Sequence, residues 1–172
     1  MNSLVLKVFV HEGGRLPEKG KNGDAGLDVF ARLDYAKRVE QTDLIKIPLG
    51  FSYAFWQQKD PMGFLASGGI VTPRYEQSYN YWLDVRNRSG VGTKSGMVTV
   101  AEVGDANYRG ELHFCAVKVT PGYYDILPGD KIAQILIHPF INPHLITIEQ
   151  VSSIEELGSS ARGDQGFGAS GK

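Results

Sequence analysis

Short runs of apolar residues recur along the chain, and in most of them apolar and polar side chains alternate. Alternation with a period of two is typical of a β-strand with one buried face, and a short continuous run is typical of a strand buried on both faces. The pattern predicts strands over residues 4–10, 45–55, 83–85, 97–100, 112–119, 132–137 and 145–151. A helix is an alternative over 31–40, although Leu33, Tyr35 and Val39 do not form one apolar stripe.

Glycine and proline support an all-β interpretation. The 172 residues include 21 glycines, roughly twice the share of an average domain, which indicates many tight turns. Five of the eight prolines lie at the margins of the apolar runs, where a missing backbone N–H disturbs a strand ladder least. The length suits one domain, so a single β-barrel or β-sandwich is predicted.

Two segments interrupt the strand pattern. Residues 56–81 are polar and aromatic and contain Gly68, Gly69, Pro61 and Pro73, so they are predicted to form an inserted loop. Residues 159–172 are rich in glycine and almost without apolar side chains, so they cannot add to a core by themselves. The predicted organisation is a β-domain over 1–158, with the insertion at about 56–81, followed by a flexible glycine-rich segment over 159–172.

Charge and cysteine content exclude several classes of protein. The net charge is −1 without clustered Lys or Arg, which argues against nucleic-acid binding, and no apolar stretch is long enough to cross a membrane. The first ten residues include Lys7 and lack the cleavage site of a signal peptide. Cys115 is the single cysteine, and the four histidines lack metal-ligand spacing. A cytoplasmic protein is therefore expected.

Several segments contain residues suited to phosphate or sugar binding. Residues 162–171 (RGDQGFGASG) combine an arginine, closely spaced glycines and an aromatic ring; a solvated flexible segment is the alternative. Residues 88–92 (RSGVG) follow a predicted strand and could cradle a phosphate, or form an ordinary turn. In residues 104–112 (GDANYRGEL), Asp105 could be a general base and Tyr108 a platform for a sugar, or the segment could be a plain hairpin turn.

Two further segments, 24–31 (DAGLDVFA) and 128–137 (PGDKIAQILI), each indicate a turn that leads into a strand. In chain order, DAGLDVFA, RSGVG, GDANYRGEL, PGDKIAQILI and RGDQGFGASG resemble the first to fifth motifs of the trimeric dUTPase family, the dUTP diphosphatases. The resemblance implies an all-β subunit, a distorted jelly roll or β-barrel with little helix. It also implies a homotrimer in which a C-terminal strand or tail is exchanged between subunits.

The resemblance implies an activity as well. In this family, water attacks the α-phosphorus of dUTP and releases dUMP and diphosphate with the help of Mg²⁺. Asp105 matches the aspartate that activates the water, and Tyr108 matches the tyrosine packed on the deoxyribose. The metal is held mainly by phosphates and water, so no direct protein ligand is expected, and Asp28 matches a supporting carboxylate.

Other positions match residues that bind the substrate in the family. Those of the second and fourth motifs surround the phosphates, and those of the fifth motif close over the site as a lid, with Phe167 on the uracil and Arg162 and Ser170 on the γ-phosphate. Three chains contribute to each site. The predicted substrate-binding positions, besides Tyr108, are Arg88, Ser89, Gly90, Thr99, Gln134, Arg162, Phe167, Gly168 and Ser170.

The chain departs from the family pattern at three places. Glu102 stands three positions before Asp105, where glycine is usual in the hairpin that reads the base, and Gly104 is adjacent to Asp105. Asn87 replaces a common proline before the second motif, and Ala169 replaces a common serine in the fifth. The effect of Glu102 on uracil selection is therefore open.

Two other functions remain open at this point. A dCTP deaminase shares the fold, but it needs a glutamate on the strand after the third motif, where residues 112–119 contain no carboxylate and Cys115 occupies the aligned position. A regulatory module could use the same fold and bind a protein partner through residues 56–81. Packing of that insertion onto its own subunit or trimer is the alternative.

Overall fold

A computed structural model describes residues 3–59, 64–65, 71–72 and 74–160. The chain divides into two compact units, Met1–Phe140 and Ile141–Lys172. Two 3₁₀ turns, Pro143–Leu145 and Ile154–Leu157, lie in the second unit. The first unit contains helix α1 (Ser89–Ser95) and the strands β1 (Leu4–Val10), β2 (Glu18–Lys19), β3 (Leu27–Phe30), β4 (Lys37–Val39), β5 (Leu44–Pro48), β6 (Phe51–Gln58), β7 (Phe64–Leu65), β8 (Val71–Thr72), β9 (Tyr75–Gln77), β10 (Tyr81–Asn87), β11 (Met97–Thr99), β12 (Val103–Gly104), β13 (His113–Lys118), β14 (Tyr124–Ile126) and β15 (Lys131–Pro139).

Antiparallel pairing joins the strands into several small sheets. The largest has the order β12-β10-β15-β3-β2, and two three-stranded sheets have the orders β1-β6-β9 and β11-β13-β5. The pairs β14-β4 and β7-β8 complete the set within the described residues. The predicted all-β architecture is confirmed. No helix in the described ranges is long and apolar enough to cross a membrane.

One apolar core lies between these sheets, and strand alternation builds it. Ile45 and Ile47 of β5 are buried while their neighbours Leu44 and Lys46 are exposed. Because side chains on a strand alternate between its two faces, such a strand covers the core with every second residue, whereas β6 and β10 also bury consecutive residues. The largest fully buried apolar side chains are Phe51, Phe55, Phe114, Ile47, Leu49, Leu83, Ile126, Ile132 and Ile135.

Six of the seven predicted strand regions contain strands, with one break. The run over 45–55 is divided between β5 and β6 because Gly50 adopts a positive φ of 78°. A Cβ at Gly50 would also lie 2.5 Å from Cα of Gly14, so this turn requires glycine. The alternative helix over 31–40 is wrong, since β4 occupies its end and pairs with β14.

The predicted strand over 145–151 is also wrong for the single chain. Leu145 ends a 3₁₀ turn, residues 146–151 have no strand assignment, and Ile148 is 93% exposed. An alternating pattern specifies which side chains share a face, but a strand also needs a hydrogen-bonding partner. The segment therefore presents its apolar residues to solvent.

The segment predicted as an inserted loop extends an existing sheet. β6 continues through Trp56 to Gln58, and β9 pairs with this extension from Trp56↔Gln77 to Gln58↔Tyr75. The ammonium group of Lys7 on the neighbouring β1 lies 3.5 Å above the ring centre of Trp56. The described ends of the insertion thus pack on their own subunit.

Glu111 joins three distant parts of the first unit. Both of its carboxylate oxygens accept from the Arg32 guanidinium at 2.7 Å, and one also accepts the Gly50 N–H at 2.8 Å. The segment after β3, the turn between β5 and β6, and the end of the third motif are held together here. The hydrogen bond from Arg32 lowers the pKa of Glu111 below its usual value.

Replacing Glu111 with glutamine should lower the free energy of unfolding by about 1–3 kcal/mol at neutral pH, because the forked bond to Arg32 loses its charge. The folded pKa of Glu111 is depressed, so the contribution of the carboxylate is complete above the unfolded pKa and is lost as pH falls through the folded pKa. Urea denaturation of wild type and variant over a pH series measures both effects.

The matched control is Asp125→Asn, which removes the charge from the exposed forked pair with Arg38. Solvent screens that pair, so its loss should change stability much less. Equal losses for the two variants, or a Glu111→Gln loss that does not shrink in acid, would contradict the assignment.

Candidate functional site

The second motif lies where β10 ends and α1 begins. Arg88 is the residue before the helix, with extended φ and ψ of −70° and 142°. The helix sequence SGVGTKS contains two glycines and no strong apolar stripe, so it was not predicted. It is held by its surroundings: Val91 and Ser95 are buried, and the Ser95 hydroxyl donates to the Val91 carbonyl at 2.6 Å. Ser89 and Gly90 remain exposed at its first turn.

A cleft of about 720 Å³ opens beside this turn. Most of its wall comes from three segments of the chain, namely the first motif with Gly20, the second motif with Lys94, and the fourth motif, and Tyr124 of β14 also lines it. The strand order β10-β15-β3 explains this convergence, because it places the ends of these three segments next to one another. The lining therefore includes five predicted site residues, namely Asp28, Arg88, Ser89, Gly90 and Gln134.

Asp28 lies between two cations at one side of the cleft. One carboxylate oxygen lies 2.8 Å from Nε of Arg88 and the other lies 3.2 Å from Nζ of Lys131. Lys131 also contacts Glu18 at 2.9 Å, and these two carboxylates raise the pKa of Lys131. The contact with Asp28 fixes the direction of the Arg88 side chain.

Gln134 lies opposite Asp28 in the β15–β3 pairing and is held from the other side. Its Nε2 donates to the Asn87 carbonyl at 3.0 Å, and the Asn87 side-chain amide donates to the Met97 carbonyl at 2.8 Å. A Cβ at Gly26 would lie 2.6 Å from Oε1 of Gln134, so glycine leaves room here for the Gln134 side chain. Asn87 thus anchors the second motif where proline is common.

The other carboxylates of the cleft are used in turns. Asp24 accepts the Lys21 N–H at 2.7 Å, and Asp130 accepts the Leu127 N–H at 2.8 Å. Each of the cleft carboxylates thus has a partner of its own: Asp24 and Asp130 accept backbone N–H groups, and Asp28 contacts two cations. The cleft also contains the cations Arg88, Lys94 and Lys131. Such a wall, with exposed backbone at Ser89 and Gly90, suits an anion with several oxygens.

Asp105, Tyr108 and Thr99 lie outside the described lining of this cleft. Asp105 follows β12 and is exposed; its carbonyl accepts from the Tyr53 hydroxyl at 2.8 Å. Tyr108 donates its hydroxyl to the Glu111 carbonyl at 3.0 Å, which leaves the ring 42% exposed. Thr99 donates to the carboxylate of Glu102, which also accepts from Arg86 at 3.0 Å.

The predicted site residues thus fall into two groups on the described part of the chain. One group surrounds the cleft, and the other lies near the third motif. Arg162, Phe167, Gly168 and Ser170 lie outside the described residues. Lys131 and Lys94 were missed, although Lys131 lies within PGDKIAQ and Lys94 lies two residues after RSGVG. The feature that could have identified these two lysines is their positive charge in or beside a motif suited to phosphate binding.

The described residues contain no group of three or more His, Cys, Asp or Glu side chains that could hold a metal ion. Asp28 is the carboxylate that the sequence assigned to a supporting role, and both of its oxygens contact cations. These two contacts hold the Asp28 carboxylate beside Arg88 and Lys131.

Replacing Arg88 with lysine should weaken binding of inorganic triphosphate about tenfold, because lysine keeps the charge but loses the planar fork and its contact with Asp28. Calorimetric titration of the full chain measures this affinity. Arg38→Lys, which alters an exposed arginine that pairs with Asp125, is the matched control and should bind as wild type does. Unchanged affinity in Arg88→Lys would contradict the assignment of the cleft to phosphates.

Known proteins similar to this chain point to one family. The dUTPase family model matches residues 65–171. A deoxyuridine 5'-triphosphate nucleotidohydrolase of Fusobacterium nucleatum subsp. nucleatum is 31% identical over 176 residues and covers both chains completely. A solved structure of a mutant dUTPase of Staphylococcus bacteriophage 80alpha with dUpNHpp covers both chains completely, with a TM-score of 0.74 and 23% identity.

A second solved structure is a mutant dUTPase from phage phi11 of S. aureus that, by its description, shows the coordination of a structural Mg(II) ion. It covers 87% of this chain and 99% of its own, with a TM-score of 0.63 and 22% identity. Both structures confirm the fold class expected from the motifs. The family model spans more than half of the chain and the F. nucleatum relative matches its whole length, so this protein belongs to the dUTPase family.

Proposed function

We propose that this protein is a dUTP diphosphatase, which hydrolyses dUTP to dUMP and diphosphate by attack of water on the α-phosphorus. The observation that carries the proposal is the cleft in which the first, second and fourth motifs meet, on a chain that belongs to the dUTPase family. A triphosphate needs several donors within a few ångströms, and this cleft supplies cations, a hydroxyl and exposed N–H groups together.

Four residues of the cleft would bind the phosphate chain. Arg88 offers its guanidinium, Ser89 its hydroxyl and Gly90 its backbone N–H, while Gln134 faces the same space from β15. Asp28 would act as a positioning residue, because its contact with Nε orients the Arg88 fork before the substrate arrives. Binding groups that are already oriented favour in-line attack, since little reorganisation is left for the reaction itself.

The third motif would supply the base and the sugar platform. Asp105 is exposed and can accept a proton from water, which is the role proposed for it. The Tyr108 ring is held at its hydroxyl by Glu111, so its exposed face could pack on a deoxyribose. Thr99 and its partner Glu102 belong to the hairpin before Asp105, and a role for Thr99 in substrate binding remains part of the proposal.

Mg²⁺ is the proposed cofactor, and it would enter with the phosphates of the substrate. When bound, it would offset negative charge on the triphosphate and its leaving diphosphate. The engaged carboxylate of Asp28 supports a role beyond the direct ligands of the metal. The structural Mg(II) ion named for the phi11 dUTPase shows that a divalent cation occurs in this fold.

A homotrimer is the proposed assembly, and two surfaces support it. Residues 145–151 expose Leu145, Ile146 and Ile148, which need cover. β1 is an edge strand, and Leu4 and Leu6 on it line an apolar groove of about 490 Å³. We assign the groove to residues 145–151 of a neighbouring copy, which would pair there as a strand.

The fifth motif is proposed as the lid of the site, over residues 159–172. Arg162 and Ser170 would contact the distal phosphate, Gly168 would allow close approach of the backbone, and Phe167 would cover the uracil.

A cytoplasmic location also stays a proposal, based on the single Cys115. A dCTP deaminase is not favoured, because β13 carries Cys115 and no carboxylate. A purely regulatory role has no observation in its favour.

Wild-type protein with Mg²⁺ should release diphosphate from dUTP in preference to dTTP, dCTP, dATP and UTP. Replacing Asp105 with asparagine should lower kcat by about two to four orders of magnitude, because the base is lost. Asp34→Asn, at an exposed aspartate outside the motifs, is the matched control. Full activity in Asp105→Asn would refute the mechanism, and preference for another base would refute the uracil assignment.

A chain shortened to residues 1–161 should stay folded and trimeric but bind dUTP weakly and turn it over slowly. The reason is that the lid aligns the triphosphate and excludes water without adding to the core. Light scattering measures the assembly, and steady-state kinetics measure KM and kcat. Activity equal to that of the full chain would overturn the lid assignment, and a monomeric full chain would overturn the trimer.

A further inference from the structure

The turn that carries Asp105 is held by its own backbone and by two side chains outside the substrate-binding set, those of Tyr53 and Arg109. The turn spans residues 105–109 and is closed by the Tyr108 N–H, which donates to the Asp105 carbonyl at 3.1 Å. That same carbonyl accepts from the Tyr53 hydroxyl at 2.8 Å. The backbone from which the Asp105 carboxylate projects is therefore fixed at its first residue by a side chain of β6.

Tyr53 is held rigidly, so it can fix the position of the Asp105 carbonyl oxygen. It lies within β6, is 2% exposed, and its ring packs edge-on against Phe55 at 5.6 Å. Burial, followed by the nearby negative charge of Asp105, raises the pKa of Tyr53 far above its usual value. The hydroxyl thus stays protonated and remains a donor wherever the protein is folded.

Gly104 is matched to Tyr53 from the other side. A Cβ at Gly104 would lie 2.6 Å from the Tyr53 hydroxyl oxygen and 3.2 Å from Cβ of Leu83. Only glycine lets the phenol reach across β12 to the next residue. This contact explains why glycine stands at position 104 in this chain, where it departs from the family pattern.

A second tether holds the far end of the turn to the same strand. Nη1 of Arg109 donates to the carbonyls of Tyr108 at 2.7 Å and Ala106 at 2.9 Å, and to the carbonyl of Tyr53 at 3.4 Å. Tyr53 therefore donates to the start of the turn through its side chain and accepts from its end through its backbone. Both ends of the turn are therefore hydrogen-bonded to one residue of β6, Tyr53.

We propose that Tyr53 is a positioning residue for the reaction, which sets the direction of the Asp105 carboxylate through the backbone of the turn and does not touch the substrate. This inference rests on the proposed function, because it assigns Asp105 as the base. A displaced base costs rate far more than affinity, since the substrate is bound mainly by other groups.

Tyr53→Phe removes the hydroxyl and keeps the ring. We expect kcat for dUTP to fall about tenfold, KM to stay within about twofold, and amide exchange over residues 104–109 to accelerate. Steady-state kinetics and hydrogen exchange with mass spectrometry measure these quantities. Tyr81→Phe is the matched control, because the Tyr81 ring also packs near Phe55, at 5.8 Å, and it should behave as wild type does.

A second variant keeps the test decisive if Tyr53→Phe is unstable. Gly104→Ala alone should lower kcat, because its methyl group meets the Tyr53 oxygen, and its added effect should be smaller in a Tyr53→Phe background. Additive effects of the two substitutions, or wild-type kcat and exchange in Tyr53→Phe, would overturn the proposal. A wild-type protein that does not hydrolyse dUTP would refute the proposed function. The hydrogen-exchange data would then still test whether Tyr53 holds the turn that carries Asp105.

Discussion

The contact of Asp28 with both Arg88 and Lys131 is the interaction on which the rest of the cleft depends. Two cations so close together repel each other, and the carboxylate between them makes their approach favourable. The contact exists because β3, β15 and the end of β10 are neighbours in one sheet. Fold and charge are thus linked: the pairing of three strands brings the residues together, and Asp28 lets them stay together.

Part of the lining of this cleft could be predicted from the sequence, but its arrangement could not. The residue types around Arg88 indicate phosphate binding, whereas Asp28 and Gln134 are assigned only through the resemblance to the dUTPase family, and Lys94 and Lys131 are missed. Helix α1 could not be predicted, because burial of Val91 and Ser95 stabilises a sequence of weak helix formers. Tyr53 gave no signal either, since a buried tyrosine in an apolar run has the pattern of an ordinary core residue.

The failure over residues 145–151 has a different physical origin. Their alternation of apolar and polar residues is a genuine strand pattern, yet the described single chain leaves them without strand pairing and with Ile148 exposed. The local pattern of residues specifies which side chains share one face of a strand. A second strand is still needed to provide the hydrogen bonds. Asp105 likewise lies outside the described lining of the cleft in a single copy. In the proposed homotrimer, a neighbouring copy would complete both the strand and the site.

The space at Gly26 has a consequence for how this sequence can change over generations. Its missing Cβ leaves room for the Gln134 side chain, whose amide in turn holds the Asn87 carbonyl. A larger residue at position 26 would push the end of the Gln134 side chain aside, and that movement would loosen its hydrogen bond to Asn87. A substitution in the first motif would therefore be felt in the second and fourth motifs, although the three lie far apart along the chain.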